Sequence, residues 1–552
     1  MVRDMARTPV LRALRRLAAD AGEADRLGIP VSELRARRAE DAAYDRGAFL
    51  KKAGVAGAGV LAGSAYLADH ARAAKGGTTP RIAIIGGGIA GLHAALVLKN
   101  NGIASDVYES SNRVGGRMHS DWTEFGHGFW DNGQQAELCG ELIDSGHKEI
   151  LKLASRFNLT VVDLLAAQPA GTQDTNWIFG AEYTDDQAAA DFQGVSTTLK
   201  QQVKAAGYPT LYNSSTPTGQ MLDQMSVHDW IATYVPGGLG SKFGDLLNSA
   251  YNEEYGAETT DQSSLNLVYL LGFQPKQGFN VLGQSDERYH IAGGNSALPI
   301  AIANALPSGS VHLGYSMTSV ALKSDGSIKV TFSNGQTITA DHVILCMSFS
   351  VLRTLDYSMA NFDQLKQTAI TQLGSGRNVK LNVQFNSRLW NAQGSTGNIY
   401  TDLPFQSGWD VTRAQSGATG ILVEYPGANV ATSLAQSNPY TTTANNPNVK
   451  KAVQTYLKQL EGVFPGITAQ WNGKAMLSTP FTDPNLLLSY AYWRVGQYTA
   501  FSGYEGVRQG NIHFAGEHCS TDFQGYMEGG AEEGKRAAKE ILSDLGITSV
   551  SS

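Results

Sequence analysis

The pattern of apolar and polar residues predicts a strand, a helix and a second strand soon after Pro80. Residues 81–85 form a short run rich in β-branched residues, which is typical of a buried parallel strand. A helix is predicted over residues 92–100, where an Asn-Gly pair ends it, and residues 105–108 have the composition of a second strand. The three elements together predict a βαβ unit.

The turn between the first strand and the helix has the glycine spacing of a dinucleotide-binding loop. Gly86 permits the tight turn, Gly88 lets the backbone approach a pyrophosphate, and Gly91 allows close helix packing. Glu109 ends the second strand 23 residues after Gly86, where a carboxylate can bind ribose hydroxyls and disfavours NADP. The cofactor contacts predicted here are Gly86, Gly88, Ala90, Gly91, Glu109 and Ser110.

Two later stretches also have the pattern of strands. Residues 328–332, 336–340 and 342–346 are strand-like runs separated by Asp-Gly and Asn-Gly turns, which predict an antiparallel appendage. Residues 379–385 alternate apolar and polar side chains with a period of two, and Lys380 lies on the polar face. The pattern alone predicts that this lysine is solvated.

Composition and charge exclude several classes of protein. The 552 residues predict two to four domains or one large intertwined unit, and 42% hydrophobic with 17% charged residues excludes a mainly disordered, collagenous or coiled-coil chain. The net charge of −7 argues against a nucleic-acid partner. Cys139, Cys346 and Cys519 share no CxxC spacing, so neither a disulfide framework nor a metal site is predicted.

Residues 1–79 have the character of a leader, with 14 Lys and Arg against 9 Asp and Glu. Residues 53–67 are apolar but too short for a stable membrane span, and residues 71–73 offer an A-x-A cleavage site. Residues 46–51 are similar to a twin-arginine export box in which Gly47 replaces the second arginine. We therefore expect export to the periplasm or the exterior, with a retained anchor or a cytoplasmic extension as the alternatives.

A second glycine-rich turn identifies the dinucleotide. Residues 113–117, Arg-Val-Gly-Gly-Arg, offer backbone N–H groups and a guanidinium to pyrophosphate oxygens. At this point the sequence resembles the flavin monoamine oxidase superfamily of amine, polyamine and L-amino acid oxidases, whose cofactor is FAD. The resemblance extends along most of the chain after residue 80 and includes residues 137–141, 293–295 and 511–517. The further cofactor contacts that it implies are Gly116, Arg117, Val320, Gly516, Glu517, Tyr526 and Met527.

The resemblance also implies the fold. It predicts an α/β protein with a Rossmann-like FAD-binding domain, discontinuous in sequence, and an inserted α+β substrate domain. The FAD-binding segments are expected at 80–150, 286–385 and 501–546, and the substrate-binding segments at 151–285 and 386–500.

Three residues are implied to be catalytic. Tyr526 and Tyr498 match the two tyrosines that form an aromatic cage in front of the flavin, and Lys380 matches a lysine that holds a water against flavin N5. Gln497 occupies the position where mitochondrial monoamine oxidases carry the cysteine that binds flavin, so noncovalent FAD is expected.

The implied reaction converts an amine or L-amino acid to an imine while oxygen is reduced to hydrogen peroxide. Leu142 stands where snake-venom-type L-amino acid oxidases carry a substrate-binding arginine, which counts against that subgroup. Glu141 and the acidic pair 286–287 favour a basic amino acid or polyamine, while Arg288 is the alternative ligand for a carboxylate. A catalytically silent FAD-binding scaffold and a carotenoid-type desaturase are the rival functions, and a homodimer stays open.

Overall fold

The computed structural model describes residues 80–272 and 286–547. The predicted leader, residues 1–79, lies outside the described residues, and its export therefore stays a prediction. Among the helices in these two ranges, none combines the length and the apolar character that crossing a membrane requires.

The described ranges contain both strands and helices, in some stretches alternating and in others in runs of one kind. The strands are β1 (Ile82–Ile85), β2 (Asp106–Glu109), β3 (Val161–Asp163), β4 (Gln173–Ile178), β5 (Ala181–Glu182), β6 (Tyr289–Ile291), β7 (Val311–Leu313), β8 (Met317–Leu322), β9 (Ile328–Phe332), β10 (Thr337–Ala340), β11 (His342–Leu345), β12 (Gly374–Ser375), β13 (Lys380–Phe385), β14 (Ser395–Thr401), β15 (Ser407–Asp410), β16 (Gly420–Glu424), β17 (Tyr440–Thr442), β18 (Trp471–Ser478), β19 (Ala491–Tyr492) and β20 (Ile512–Phe514). The helices are α1 (Ile89–Asn100), α2 (Trp122–Phe125), α3 (Lys148–Arg156), α4 (Asp185–Ala206), α5 (Pro217–Asp223), α6 (Val227–Tyr234), α7 (Lys242–Tyr255), α8 (Ser264–Gly272), α9 (Ala297–Ala305), α10 (Phe349–Leu352), α11 (Gln364–Gln372), α12 (Leu389–Ala392), α13 (Ala428–Ser433), α14 (Pro447–Val463), α15 (Gln497–Phe501) and α16 (Met527–Asp544).

A five-stranded parallel sheet organises the first part of the fold. Its strand order is β20-β11-β1-β2-β7. In β1, Ile82 and Ile84 pack into the hydrophobic cluster that contains α1 and α16, whereas Ala83 and Ile85 pack into the cluster on the opposite face. Both faces of the sheet are therefore covered, and the predicted strand, helix and second strand are confirmed at β1, α1 and β2.

One strand differs from the sequence prediction. Residues 342–345, expected in the antiparallel appendage, form β11 in the parallel sheet between β1 and β20. The appendage has the order β10-β9-β8, so residues 317–322 supply the strand that 342–346 were expected to supply. The pattern of runs and turns predicts that a strand exists, but the partner is chosen by long-range packing.

An eight-stranded, mostly antiparallel sheet lies in the second part of the fold, in the order β17-β18-β13-β16-β15-β14-β4-β5. Strand β13, predicted with the FAD-binding segments, pairs here with β16 and β18 from the predicted substrate-binding segments. Leu381 and Val383 pack with α14 on one face, while Val423 and Met476 of the neighbouring strands belong to the cluster on the other face. Lys380 is 5% exposed, so the expected solvated face is buried.

Glycines allow α1 to pack closely against both the sheet and α16. A Cβ atom added at Gly91 would lie 2.0 Å from the carbonyl oxygen of Gly86, and one added at Gly534 would lie 2.0 Å from that of Ala90. Both distances are far below van der Waals contact, so only glycine fits at these two positions. The packing role predicted for Gly91 agrees with this geometry, and the amino termini of α1 and α16 lie at the carboxyl edge of the parallel sheet.

Candidate functional site

A cavity of about 390 Å³ opens at the carboxyl ends of four adjacent parallel strands. Gly86, Glu109, Cys346 and Gly516 line it and follow or end β1, β2, β11 and β20. This edge of an open parallel sheet is where α/β folds bind their ligands. The cavity continues to β13 and β15 of the eight-stranded sheet, so it joins the two sheets.

Most of the predicted site residues come together in this cavity. The predicted residues among its lining are Gly86, Gly88, Ala90, Glu109, Ser110, Gly116, Arg117, Glu141, Lys380, Gly516, Glu517, Tyr526 and Met527. They come from six separate stretches of sequence. Their meeting in one cavity supports a single shared site, which no individual motif could show.

The amino terminus of α1 and the turn after β2 form the end of the cavity that suits an anion. Gly88 precedes α1 and has no side chain to cap the first-turn amides, and Ala90 lines the cavity. Arg113 and Arg117 line the same region. First-turn N–H groups, the positive end of the helix dipole and two guanidinium groups together favour a bound pyrophosphate.

Glu109 has the position predicted for a ribose-binding carboxylate. Its Oε2 accepts a hydrogen bond of 2.6 Å from the backbone N–H of Gly87, and its Oε1 accepts one of 2.8 Å from that of Ser111. Glu109 is buried and lines the cavity. These bonds fix the carboxylate at the carboxyl end of β2, where a ribose can reach it.

Glu517 ties together three segments around the cavity. Its Oε1 accepts hydrogen bonds from Arg117 at 2.8 Å and from the backbone N–H of Ala491 at 3.1 Å, and its Oε2 accepts from that of Gly525 at 2.7 Å. Arg117 also donates to the carbonyl oxygen of Ser489 at 3.0 Å. The chain that precedes Tyr526 and the chain around residue 490 are thus held at fixed positions beside the cavity.

A buried ion pair lies on the wall that the eight-stranded sheet supplies. Lys380 Nζ is 2.6 Å from Glu141 Oε2, and Trp409 Nε1 donates a hydrogen bond of 3.1 Å to Glu141 Oε1. Burial by itself would raise the pKa of Glu141, but the charge and hydrogen bond of Lys380 lower it below its ordinary value. Glu141 is therefore ionised and holds the lysine ammonium in the cavity.

Aromatic side chains cover the remainder of the cavity wall. Tyr526 lies at the start of α16, and its ring contacts that of His147 edge-on at a centroid distance of 5.0 Å. Burial lowers the pKa of His147 to about 3, so this ring is neutral. Tyr425 and Tyr490 line the cavity with their hydroxyl oxygens 3.3 Å apart, and Tyr490 donates to the backbone oxygen of Glu253 at 3.2 Å.

The structure corrects the expected position of the second cage tyrosine. Tyr498 lies in α15, outside the cavity, where its hydroxyl donates to Asn266 at 3.0 Å and its ring packs against Trp493. Gln497 beside it donates to the carbonyl oxygen of Gln372. Tyr490, eight residues earlier, lines the cavity instead. Several tyrosines occur in this stretch, and the motif around Tyr498 did not identify which one faces the cavity.

Arg288 and Val320 also lie outside the cavity. Arg288 donates two hydrogen bonds, of 2.8 and 2.6 Å, to Asp163 Oδ2, so its guanidinium is held by a neighbouring carboxylate. Val320 is buried in β8, where its backbone N–H donates to Asp356. The predicted carboxylate ligand and the predicted adenine-side contact are therefore not placed in the cavity.

Glu287 is a cavity residue that the sequence indicated only as half of an acidic pair. It is 3% exposed, lines the cavity and has a left-handed backbone with φ of 39°, which is strained for a non-glycine residue. Its backbone N–H donates to Asp144 Oδ1 at 2.6 Å, which holds it there. Asp286, the other half, instead accepts two hydrogen bonds from Ser145.

Comparison with known proteins identifies one protein family along most of the chain. The model of the family described as flavin-containing amine oxidoreductase matches residues 89–542. The chain is similar to a nicotine dehydrogenase of Pseudomonas putida, 24% identical over 89% of this chain and 94% of the relative, and to polyamine oxidase 4 of Oryza sativa, 24% identical over 85% and 90%. In structure it is similar to a cyclohexylamine oxidase from Brevibacterium oxydans, with a TM-score of 0.72 and 20% identity over 85% of this chain and all of that one.

The Lys380–Glu141 pair generates a prediction on stability. Glu141→Gln leaves a buried ammonium without its counter-ion, and we expect a loss of about 3–5 kcal/mol in unfolding free energy at neutral pH. Glu141 has a folded pKa below its ordinary 4.5, so its stabilising contribution is complete above that pH and is lost as the pH falls through the folded pKa. The difference between wild type and variant should therefore shrink on acidification.

Urea unfolding between neutral and acidic pH measures this difference. The double variant Lys380→Met/Glu141→Gln, which removes both charges, should recover most of the lost stability. Asp131→Asn, which breaks the exposed pair with Lys474, is the control and should cost at most about 1 kcal/mol. A double variant as unstable as Glu141→Gln would contradict the buried-pair interpretation.

Proposed function

Because the chain belongs to the flavin-containing amine oxidoreductase family, we propose that it is an FAD-dependent oxidase of amines that carry a second positive charge. The observation that carries this proposal is a single cavity that joins the dinucleotide-binding loop to Lys380, Glu141 and the aromatic wall of Tyr490 and Tyr526. A catalytically silent FAD-binding scaffold or a desaturase would have no need for a buried lysine there.

FAD is the cofactor of the family, and the residues of the cavity fit it. The amino terminus of α1, Arg113 and Arg117 suit the pyrophosphate, and Glu109 suits the ribose at the end of β2. The amino terminus of α16, at Tyr526 and Met527, lies in the same cavity and would stabilise negative charge on the ring system.

We expect FAD to be bound noncovalently, although for a reason other than Gln497. Ser489 precedes the cavity tyrosine Tyr490, so the position that would carry a flavin-binding cysteine has a hydroxyl. The cavity also contains Cys139 and Cys346. Burial raises the pKa of Cys139 to about 11 and also raises that of Cys346, which keeps both thiols protonated and unreactive.

The protein's part in the reaction is to orient and desolvate the substrate. FAD, when bound, supplies the two-electron acceptor that takes a hydride equivalent from the carbon beside the amine. Tyr490 and Tyr526 would hold the amine between phenol faces in a site that excludes water. Such a site disfavours the ammonium form, and the neutral amine has the lone pair that imine formation requires.

Oxygen as the electron acceptor rests on Lys380. The relatives named above include two oxidases and a dehydrogenase, so family membership alone leaves the acceptor open. The Lys380 ammonium, held by Glu141 in the cavity, would stabilise the negative charge that oxygen acquires if oxygen reacts beside it. Preorganised charge of this kind stabilises the developing anion, and the product after two electrons is hydrogen peroxide.

The charges around the cavity favour a cationic substrate over an amino acid. Among the described residues that line the cavity, the arginines are Arg113 and Arg117, and both lie in the turn assigned to the pyrophosphate. Arg288 is engaged with Asp163 and lies outside. Lys380 and Glu141 also line the cavity but are engaged with each other, whereas Glu287 lines it as a further carboxylate. A diamine or polyamine would therefore find Glu287 for its distal ammonium more readily than an amino acid would find a cation for its carboxylate.

A matched substrate pair tests both the reaction and its selectivity. With FAD bound, we expect 1,5-diaminopentane to bleach the flavin without oxygen and to yield hydrogen peroxide in air. Pentylamine, which lacks the distal charge, should react less efficiently. Glu287→Gln should lower kcat/KM for the diamine by about 10- to 100-fold, the cost of losing a charged hydrogen-bond partner, and spare pentylamine.

The controls separate the rival interpretations. Glu182→Gln, on the exposed strand β5, should leave both substrates unchanged. Equal losses on the two amines in Glu287→Gln would mean that Glu287 only supports the cavity. Reaction with lysine but with neither amine would favour an amino acid oxidase. Failure of every amine and amino acid in a panel to bleach the flavin would favour the scaffold or the desaturase.

The cage assignment gives a second prediction. Tyr490→Ala should lower kcat/KM at least about tenfold because it removes a cavity wall that orients the amine. Tyr498→Phe should change it less than about threefold while costing about 1 kcal/mol of stability, because the ring stays and the hydroxyl that donates to Asn266 is removed. Steady-state kinetics and urea unfolding measure the two effects. A large loss of kcat/KM in Tyr498→Phe, with kcat/KM unchanged in Tyr490→Ala, would show that Tyr498 and not Tyr490 forms the cage wall.

A further inference from the structure

Two histidines and an aspartate meet at the edge of the parallel sheet opposite the cavity. His342 is the first residue of β11, His513 lies in the adjacent strand β20, and Asp544 ends α16. One potential ligand atom from each of the three lies within 4.8 Å of the others. His342 Nδ1 and His513 Nε2 are 3.4 Å apart. The three residues are far apart in sequence, so no spacing motif could have indicated the group.

Glu540 fixes the orientation of one imidazole. Its Oε2 lies 2.7 Å from His513 Nδ1 and accepts that hydrogen bond. Glu540 Oε1 also accepts a hydrogen bond from Arg536, so the carboxylate is held between a guanidinium and an imidazole. Because the hydrogen bond to Glu540 places the proton of His513 on Nδ1, the Nε2 lone pair is directed at His342. Histidines that bind metals have this carboxylate on the second nitrogen.

The distance between the two imidazoles fits a shared metal ion better than a direct hydrogen bond. Nitrogen–oxygen hydrogen bonds in proteins cluster near 2.9–3.0 Å, and a nitrogen pair at 3.4 Å is at the outer limit of such contacts. Two nitrogens bound to one tetrahedral zinc ion at about 2.0–2.1 Å lie about 3.3 Å from each other. The backbone pairing of β11 with β20 holds the rings at this distance, since Val343 pairs with Ile512.

We propose that His342, His513 and Asp544 bind one divalent transition-metal ion, with Zn²⁺ as the expected metal. Two imidazoles and a carboxylate are a ligand set that zinc accepts, and water would complete the tetrahedron. His342 would bind through Nδ1 with its proton on Nε2, so the change is a tautomer shift. The Asp544 side chain is 29% exposed, which gives solvent access for the water ligand.

The position of this site assigns it a structural role. It lies at the amino ends of β11 and β20, whereas the cavity lies at their carboxyl ends. Helix α16 runs between the two, from Met527 at the cavity to Asp544 at the proposed metal. A metal bound there would fasten the last turn of this helix to the two strands. Because the metal would be bound far from the cavity, its effect would be on stability.

Arg508 is the group that competes with the metal. Its guanidinium donates a hydrogen bond to Asp544 Oδ2 and forms a salt bridge with that carboxylate. Metal binding must displace this guanidinium from the aspartate. The same contact supplies a matched control, because Arg508→Ala removes the salt bridge and keeps all three ligands.

Zinc titration of the FAD-loaded protein, with any affinity tag removed, tests the proposal by calorimetry and metal analysis. We expect one Zn²⁺ per chain, no response to Mg²⁺, and a higher unfolding temperature with zinc than with chelator. His342→Asn and Asp544→Asn should each weaken binding by more than tenfold, and Glu540→Gln by about 10- to 100-fold. Arg508→Ala should bind zinc at least as tightly as wild type. Co²⁺ should give the visible absorption of tetrahedral coordination.

Asp544→Asn changes an exposed side chain at a helix end, so it keeps the test valid if the buried histidine variants fold poorly. His312→Asn, which removes the surface histidine paired with Asp106, is the control for adventitious binding and should have no effect. Absence of zinc binding by the wild type would overturn the proposal. Zinc binding that is undiminished in Asp544→Asn and His342→Asn would also overturn it. So would zinc binding that is lost in both Arg508→Ala and Asp544→Asn, because the salt bridge between these two residues would then be what zinc binding requires.

Discussion

The contact between α1 and α16 is the constraint on which the site depends. Gly534 of α16 lies against the backbone of Ala90, where a Cβ atom would be 2.0 Å from the carbonyl oxygen, and Gly530 lies against Ile89. These contacts join the first turn of α1 to the first two turns of α16, so the two amino termini lie close together. Both termini open on the cavity, so α1 would supply positive potential to a bound pyrophosphate and α16 to another part of the cofactor.

The second feature is the charge that the fold buries. Lys380 and Glu141 are almost fully buried, and desolvating two charges is costly unless the geometry is good. The 2.6 Å contact and the indole N–H of Trp409 provide that geometry. Ion pairs of this kind contribute little net stability. In the proposed function, Glu141 instead keeps the Lys380 ammonium inside the cavity for the reaction with oxygen.

Local features of the sequence predicted the fold well. The β-branched run at 81–85, the glycine loop and Glu109 belong to one continuous βαβ unit. The role of each glycine in the loop depends on the adjoining strand, turn and helix, which are its neighbours in sequence. The run at 342–345 predicts a strand but not its partner, and the strand pairs in the parallel sheet rather than in the antiparallel appendage. The pairing partner of a strand depends on packing between segments that are hundreds of residues apart, and the periodicity of apolar residues in the strand does not predict that packing.

The candidate site is only partly predictable from the sequence, because it also depends on packing between distant segments. The resemblance predicts Lys380 in the site, although its strand pattern alone predicts a solvated side chain. The resemblance also assigns the second cage position to Tyr498, whereas the tyrosine that lines the cavity is Tyr490. Arg288 directly follows Glu287, which lines the cavity. Glu287 has a left-handed backbone, and the sequence alone does not predict which of two consecutive side chains at such a turn faces the cavity. Side-chain direction in irregular segments is set by tertiary structure.

The convergence of the two helices on FAD is tested most directly by comparing FAD affinity in two glycine variants. Gly534→Ala inserts a methyl group between α1 and α16 and should cost about 1–3 kcal/mol of packing, so we expect the Kd for FAD to rise about tenfold or more. Gly462→Ala, in α14 with open space around it, should leave the Kd unchanged. An unchanged Kd in Gly534→Ala would contradict the account.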